Sequence, residues 1–273
     1  MSQVFGYICS DDSLTAAVMR QIGAPLRAVP PEDRVGLGIG WLQEGRSLLR
    51  KHPKRKAASV DVPSLLADVP SRSLVGHVRH RELGRVGTKQ LQPFRYRNWV
   101  YAQKGMDGAF EDIQAALTEG IPDHVRRNIG GTSLPETVFH IFCTKMEQRL
   151  SNTGTGKHGQ MYAQTLGETM GELEKLAKEG DEPELGSLLA VAATDRCMVA
   201  CRVGEPLFYR VVEGIEEASE EPLFAGHKPR TITHDRFRAV LVASAVDDDQ
   251  WEELPDRHVM WVDDDWEVYT EEI

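Results

Sequence analysis

The chain has 273 residues, 41% of them hydrophobic and 27% charged, a composition that builds a full core and excludes disordered, fibrous and collagenous classes. No apolar run approaches the ~20 residues needed to cross a bilayer, and no basic region precedes a hydrophobic stretch at the N-terminus, so a cytoplasmic protein without signal peptide or membrane contact is expected. The net charge of −10 is unevenly placed: residues 244–273 carry twelve acidic side chains against Arg257 alone, which leaves the other 243 residues near neutral at +1.

In chain order, Val4, Gly6 and Ile8 alternate with Phe5, Tyr7 and Cys9, β-branched and aromatic types that suit a strand buried on both faces. Ser2 stands at its start, one residue behind Met1. Removal of Met1 would make Ser2 an N-terminal hydroxyl nucleophile with its own α-amine as base, a known form of nucleophilic catalysis. Leu14, Val18 and Ile22 have helical spacing, and the Pro-rich stretch 23–34 reads as a loop. Gly36, Gly38 and Gly40 alternate along the next strand, which leaves room for another backbone or a ligand. A strand is predicted at 47–51, entering the basic run from Arg50 to Lys56, read as a solvated loop in preference to a nucleic-acid contact.

Residues 73–80 form a strand that ends in His77, Arg79, His80, Arg81 and Glu82, a polar delivery often found at the wall of a site. A strand over 98–103 breaks at Lys104-Gly105, and an amphipathic helix is predicted over 109–117. Ser133-Leu134-Pro135-Glu136 opens the next helix as a capping box, in which Ser133 accepts from an amide of the first turn and Glu136 reaches back. A loop is expected over 151–160, and its Gly156-Lys157 lacks the hydroxyl residue of a phosphate loop. A further helix follows over 161–178, capped at Gly180, and then strands at 188–193, 197–203, 207–212, 239–244, 258–262 and 266–269. Cys9, Cys143, Cys197 and Cys201 lack disulfide or metal-ligand spacing and read as buried thiols, with no metal and no cofactor expected.

Taken in order, several of these stretches resemble the class II glutamine amidotransferases, a branch of the N-terminal-nucleophile hydrolases. They are Ser2-Gln3-Val4-Phe5-Gly6-Tyr7, Gly36-Leu37-Gly38-Ile39-Gly40-Trp41, Gly76-His77-Val78-Arg79, Pro93-Phe94 and Val242-Ala243-Ser244 with Trp251 and Leu254-Pro255. The likeness is strongest to the small stand-alone kind, which includes γ-glutamyl amidohydrolases of ergothioneine synthesis. The resemblance implies an α+β fold, a four-layer α-β-β-α sandwich of largely antiparallel sheets, as one domain over 1–273. It also implies a site at the first strand: a nucleophile at Ser2, an oxyanion position at Lys104 and Gly105, and substrate-binding positions at Arg79, His77 and Ser133.

The chain keeps the family's arginine at Arg79 and the glycine at Gly105, and departs from it at three other chemical positions. Serine replaces the nucleophilic cysteine at Ser2, and a hydroxyl needs a better-placed base than a thiol. Lys104 replaces the oxyanion asparagine, a change of the kind that lowers rates by ~10²–10³. The segment from Gly131 to Glu136 lacks the aspartate that holds the substrate amine. Lys104 and Glu82 are candidates to pair across the vacated space. Three readings stay open. The first is a non-catalytic or repurposed domain that binds a γ-glutamyl-type small molecule or a protein partner. The second is a Ser2-dependent amidohydrolase, and the third, least favoured, is binding of nucleic acid or another anionic partner through Arg50–Lys56.

Overall fold

Strand β1, Gln3–Cys9, lies at the centre of a sheet because both of its faces are apolar, and all but its first residue are buried. The structure, a computed structural model, describes residues 2–22, 36–53, 65–66, 68–80, 88–106, 111–151, 158–179, 186–218, 231–246 and 248–273. After β1 come a short 3-10 turn at Asp12–Leu14 and helix α1, Thr15–Gln21. Strands β2 (Gly36–Gln43), β3 (Arg46–Pro53), β4 (Ser73–Arg79), β5 (Phe94–Tyr96) and β6 (Trp99–Lys104) follow. Helices α2 (Glu111–Glu119), α3 (Asp123–Arg126), α4 (Leu134–Leu150) and α5 (Gly159–Glu179) come next. The chain returns to strands with β7 (Leu188–Ala193), β8 (Met198–Val203), β9 (Phe208–Ala218), β10 (Thr231–Ala243), β11 (Glu252–Glu253), β12 (His258–Val262) and β13 (Val268–Glu272).

Among the described residues these strands make two sheets, ordered β11-β9-β10-β1-β4-β2-β3 and β13-β12-β8-β7-β6-β5, with antiparallel pairing at every ladder. The alternation of side chains along each strand divides the core into three layers. Val4, Ile8, Val75, Val100, Val191 and Val240 meet between the sheets. Phe5, Tyr7, Leu37 and Leu74 face outward and pack on Leu14, Val18 and Met19 of the α1 region. Tyr101, Ala190 and Val199 face the other way, onto Phe139 and Phe142 of α4 and Leu166 and Met170 of α5. The result is the expected four-layer α-β-β-α order.

Several boundaries differ from expectation. β9 and β10 form a hairpin much longer than 207–212 and 239–244, carried outward past an irregular register between His234 and Arg238. The basic run begins inside strand β3 and not in a loop, while Lys54, Arg55 and Lys56 lie outside the described residues, as do Gly156, Lys157 and Gly180. Gly159 and Gln160 belong to α5 and not to the preceding loop. Trp266 occupies a turn at φ +65, and β13 begins only at Val268.

Candidate functional site

The register of the first sheet assembles the site. Gln3 pairs with Val78 and Val4 with His77, so continuing the ladder by one residue sets Ser2 level with Arg79. On the far side of β4, Gly38 pairs with His77 and Gly36 with Arg79, while Lys51 of β3 pairs with Gly38. Residues in one row share a face. Since Val4 and Val75 belong to the layer between the sheets, Ser2, His77, Arg79, Gly36, Gly38 and Lys51 lie on that inner face too.

The glycines of β2 make room for the segment that joins the sheets. A side chain at Gly36 would run into Leu91, and one at Gly38 into the Gln92 carbonyl. With that space open, the Gln92 main chain passes close over β2, and its side-chain amide acts as a bridge. Its Oε1 accepts from Gln103 N at 2.7 Å, and its Nε2 donates to Gln103 O at 2.8 Å and faces His77 Nε2 at 3.4 Å. The Tyr101 hydroxyl donates to Gln103 Oε1 at 2.6 Å. All four side chains are buried, so the polar atoms answer one another where water cannot.

That bridge also fixes direction. Gly40, level with Val75, packs against Val100, whereas Gln92 ties His77 to Gln103. Strands β4 and β6 therefore run the same way across the layer, and their ends, Arg79 and Lys104, reach the same edge as Ser2. Lys104 sits two residues beyond Ala102, on the inner face, and pairs with Leu189 of β7. Its side chain is 11% exposed, and its ammonium is bonded to Glu205, whose side chain is 42% exposed. Glu82, the expected partner of Lys104, lies outside the described residues, as does Arg81. Gly105 turns the chain at φ +105, and a side chain there would strike the Ser187 carbonyl, so only glycine fits. Ser2 is 7% exposed, His77 is buried and Arg79 is half-buried.

Ser133 reaches the flank of this cluster without entering its rows. It is the N-cap of α4, with the extended backbone that position requires, yet it makes no capping bond. The capping box is therefore corrected. Glu136 reaches past Ser133 and accepts from Gly130 N and Gly131 N, each at 2.8 Å, which keeps the carboxylate on the positive end of the helix. Ser133 Oγ is buried with no hydrogen-bond partner among the described residues. Gln90 Nε2 donates to Thr132 Oγ1 at 3.3 Å, so residues 88–93 connect this loop with the Gln92 bridge.

Sequence reasoning missed Gln92, Gln103, Glu205 and the inward course of Lys51. The Lys51 ammonium lies 5.2 Å over the Phe94 ring, a cation–π placement. Burial pulls its pKa from 10.5 down to about 8, with Glu136 opposing that shift and Arg95 adding to it. None of the four thiols competes as a nucleophile: burial pushes Cys9 up to about 11 and Cys201 to about 12, and raises Cys143 and Cys197. Among the described residues no group of three or more His, Cys, Asp or Glu is arranged to hold a metal, and no helix is long and apolar enough to cross a membrane.

Comparison with known proteins gives this geometry its setting. A family model described as glutamine amidotransferases class-II matches residues 1–268. No curated protein matches the chain. Among solved structures, a glutamine aminotransferase class-II domain protein from Silicibacter pomeroyi is 15% identical with a TM-score of 0.61, over 99% of this chain and 98% of that one. A predicted glutamine amidotransferase from Pseudomonas aeruginosa is 16% identical, TM-score 0.57, over 98% and 94%. The glutamine phosphoribosylpyrophosphate amidotransferase of B. subtilis is 16% identical, TM-score 0.54, over 99% of this chain and 49% of its own. The likeness shows a common fold, the two antiparallel sheets with flanking helices of the N-terminal-nucleophile hydrolases.

Proposed function

The chain belongs to the class II glutamine amidotransferases, and from that premise we propose that it is a domain over residues 1–273 that binds a γ-glutamyl-type small molecule without hydrolysing it. One observation carries this reading: Lys104, which the resemblance sets at the oxyanion position, has its charge already committed to Glu205. An oxyanion hole works by donors aimed at empty space, ready for charge that develops only in the transition state. A donor satisfied in the resting protein must first give up its partner, which removes the preorganisation on which the rate depends.

The neighbouring positions support the same conclusion. Ser2 supplies a hydroxyl in place of a thiol. The Gly130–Glu136 loop uses its one carboxylate on two backbone amides, where the family has an aspartate for the substrate amine. Arg79 stays level with Ser2, as a carboxylate-binding residue should. The resemblance to small stand-alone γ-glutamyl amidohydrolases suggests the ligand class. Incubated with glutamine at high protein concentration, the wild type releases no ammonia above background, and Arg79→Ala weakens ligand binding at least tenfold in calorimetry. Ammonia release that disappears in Ser2→Ala overturns the reading.

A second reading, a Ser2-dependent amidohydrolase, draws on the buried position of Ser2 at the start of the central strand. It requires removal of Met1, so an intact mass that retains Met1 excludes it.

A further inference from the structure

Resting on the ligand-binding reading above, we propose that Glu205 is a built-in surrogate for a ligand carboxylate: a small free acid enters at Lys104 and displaces Glu205, so the site prefers acids to the corresponding amides. The asymmetry of the pair carries this. The Lys104 side chain is 11% exposed and that of Glu205 42%. A buried ammonium must keep a counter-charge, whereas a half-exposed carboxylate gives up little on turning to water. The exchangeable member is therefore Glu205.

The turn that presents Glu205 does not depend on its carboxylate. Arg202, level with Leu189 and Lys104 across β8, β7 and β6, donates from Nε to the Gly204 and Glu205 carbonyls at 3.2 and 3.1 Å. Its NH1 bonds Glu253 at 2.6 Å and also the Leu254 carbonyl. Asp256 accepts from Gly204 N at 2.7 Å, and Gly204 holds φ +87. The main chain is clamped from two sides, so the Glu205 side chain leaves without loosening the turn.

Arg202 and Lys104 differ in a way that selects the exchange point. Arg202 has three carbonyl acceptors besides Glu253, so a departing carboxylate leaves it largely satisfied. For the Lys104 ammonium, with three donors, Glu205 is the only hydrogen-bond partner among the described residues. An incoming carboxylate replaces that partner in kind. A neutral amide offers one oxygen and no charge, and leaves Glu205 in place.

Calorimetry with L-glutamate and L-glutamine tests this. Wild type binds glutamate more tightly than glutamine. Glu205→Gln removes the competing charge and tightens glutamate roughly three- to fivefold, the upper scale of a partly exposed ion pair, with glutamine changed less than twofold. Lys104→Met erases the preference, and Lys104→Arg, which keeps the charge should the apolar variant fail to fold, retains it. Glutamine bound as tightly as glutamate, an unchanged or weakened glutamate affinity in Glu205→Gln, or no binding of either ligand to wild type and Glu205→Gln at 10 mM overturns the proposal. Ammonia release from glutamine would instead overturn the non-hydrolytic reading, and the acid-over-amide preference would still be decided by the same titrations.

Discussion

Lys51 shows how far a residue's setting can depart from its sequence context. Within Arg50–Lys56 it reads as one cation among many, yet its strand position turns it inward over Phe94, where burial lowers its pKa to about 8. Below pH 8 the folded and unfolded chains both hold the proton, and the desolvation penalty is fully present. Between about 8 and the unfolded value near 10.4 only the unfolded chain keeps it, so stability rises with pH. Lys51→Met is expected to gain about 1 kcal/mol at pH 7, a figure discounted for the partial exposure of the amine. Urea denaturation at pH 7 and pH 9.5 checks it: the gap between variant and wild type narrows at the higher pH. The residue scale is also where the sequence is least legible. Ser2, Arg79 and Lys104 stand out because each ends a recognisable strand. Glu205 and Gln92 sit in turns, and their partners lie 101 and 11 residues away, a distance that no local pattern encodes.

Elements were read well wherever one face is buried and poorly where the ladder alone holds the chain. The 73–79 and 188–193 strands are buried along almost their whole length and announce themselves. Residues 231–236 of β10 are mostly exposed on both faces, so they carry no period of two, although Thr231 to His234 still pair with β9 before the register shifts ahead of Arg238. For α4 the boundary was legible but its bonds were not. Ser, Pro and Glu mark a helix start by type, while which amides Glu136 meets depends on how the Gly130-Gly131 loop folds back. Glycine positions separate the same way and give a paired prediction. Gly38→Ala drives a methyl into the Gln92 carbonyl, disturbs the bridge between the sheets and costs about 2–3 kcal/mol. Gly171→Ala, inside α5 with nothing near the added carbon, stabilises by about 0.5–1 kcal/mol through helix propensity alone. Thermal denaturation of the two variants should move in opposite directions.

At the scale of the whole molecule, the acidic C-terminal stretch is part of the architecture. Asp248 pairs with Arg210, Glu253 with Arg202, Asp256 caps Gly204 N, and Glu271 accepts from Gln160 and Gln164 of α5. Its apolar residues do as much: Val259, Met260 and Val262 are buried, and β12 lies between β8 and β13. Truncation after Val246 is therefore expected to abolish cooperative unfolding, followed by circular dichroism, and not merely to trim a charged tail. The four-layer order was legible from the succession of strands, helices and strands. The strand order was not, because β1 finds its neighbours in β4 and β10 only through distant pairing.

That last pairing governs how the protein is made. Val4 N donates to the Ser244 hydroxyl, 240 residues away, at 3.0 Å, and β1 fills the gap between β4 and β10. During synthesis β1 precedes β10 and stays without one of its two neighbours until β10 has been made. The nascent chain therefore carries an apolar segment with unmet hydrogen bonds across more than 200 residues of synthesis before the sheet can close around it. A chain stalled before β10 thus exposes one side of β1 as an open edge, free to pair with a second copy.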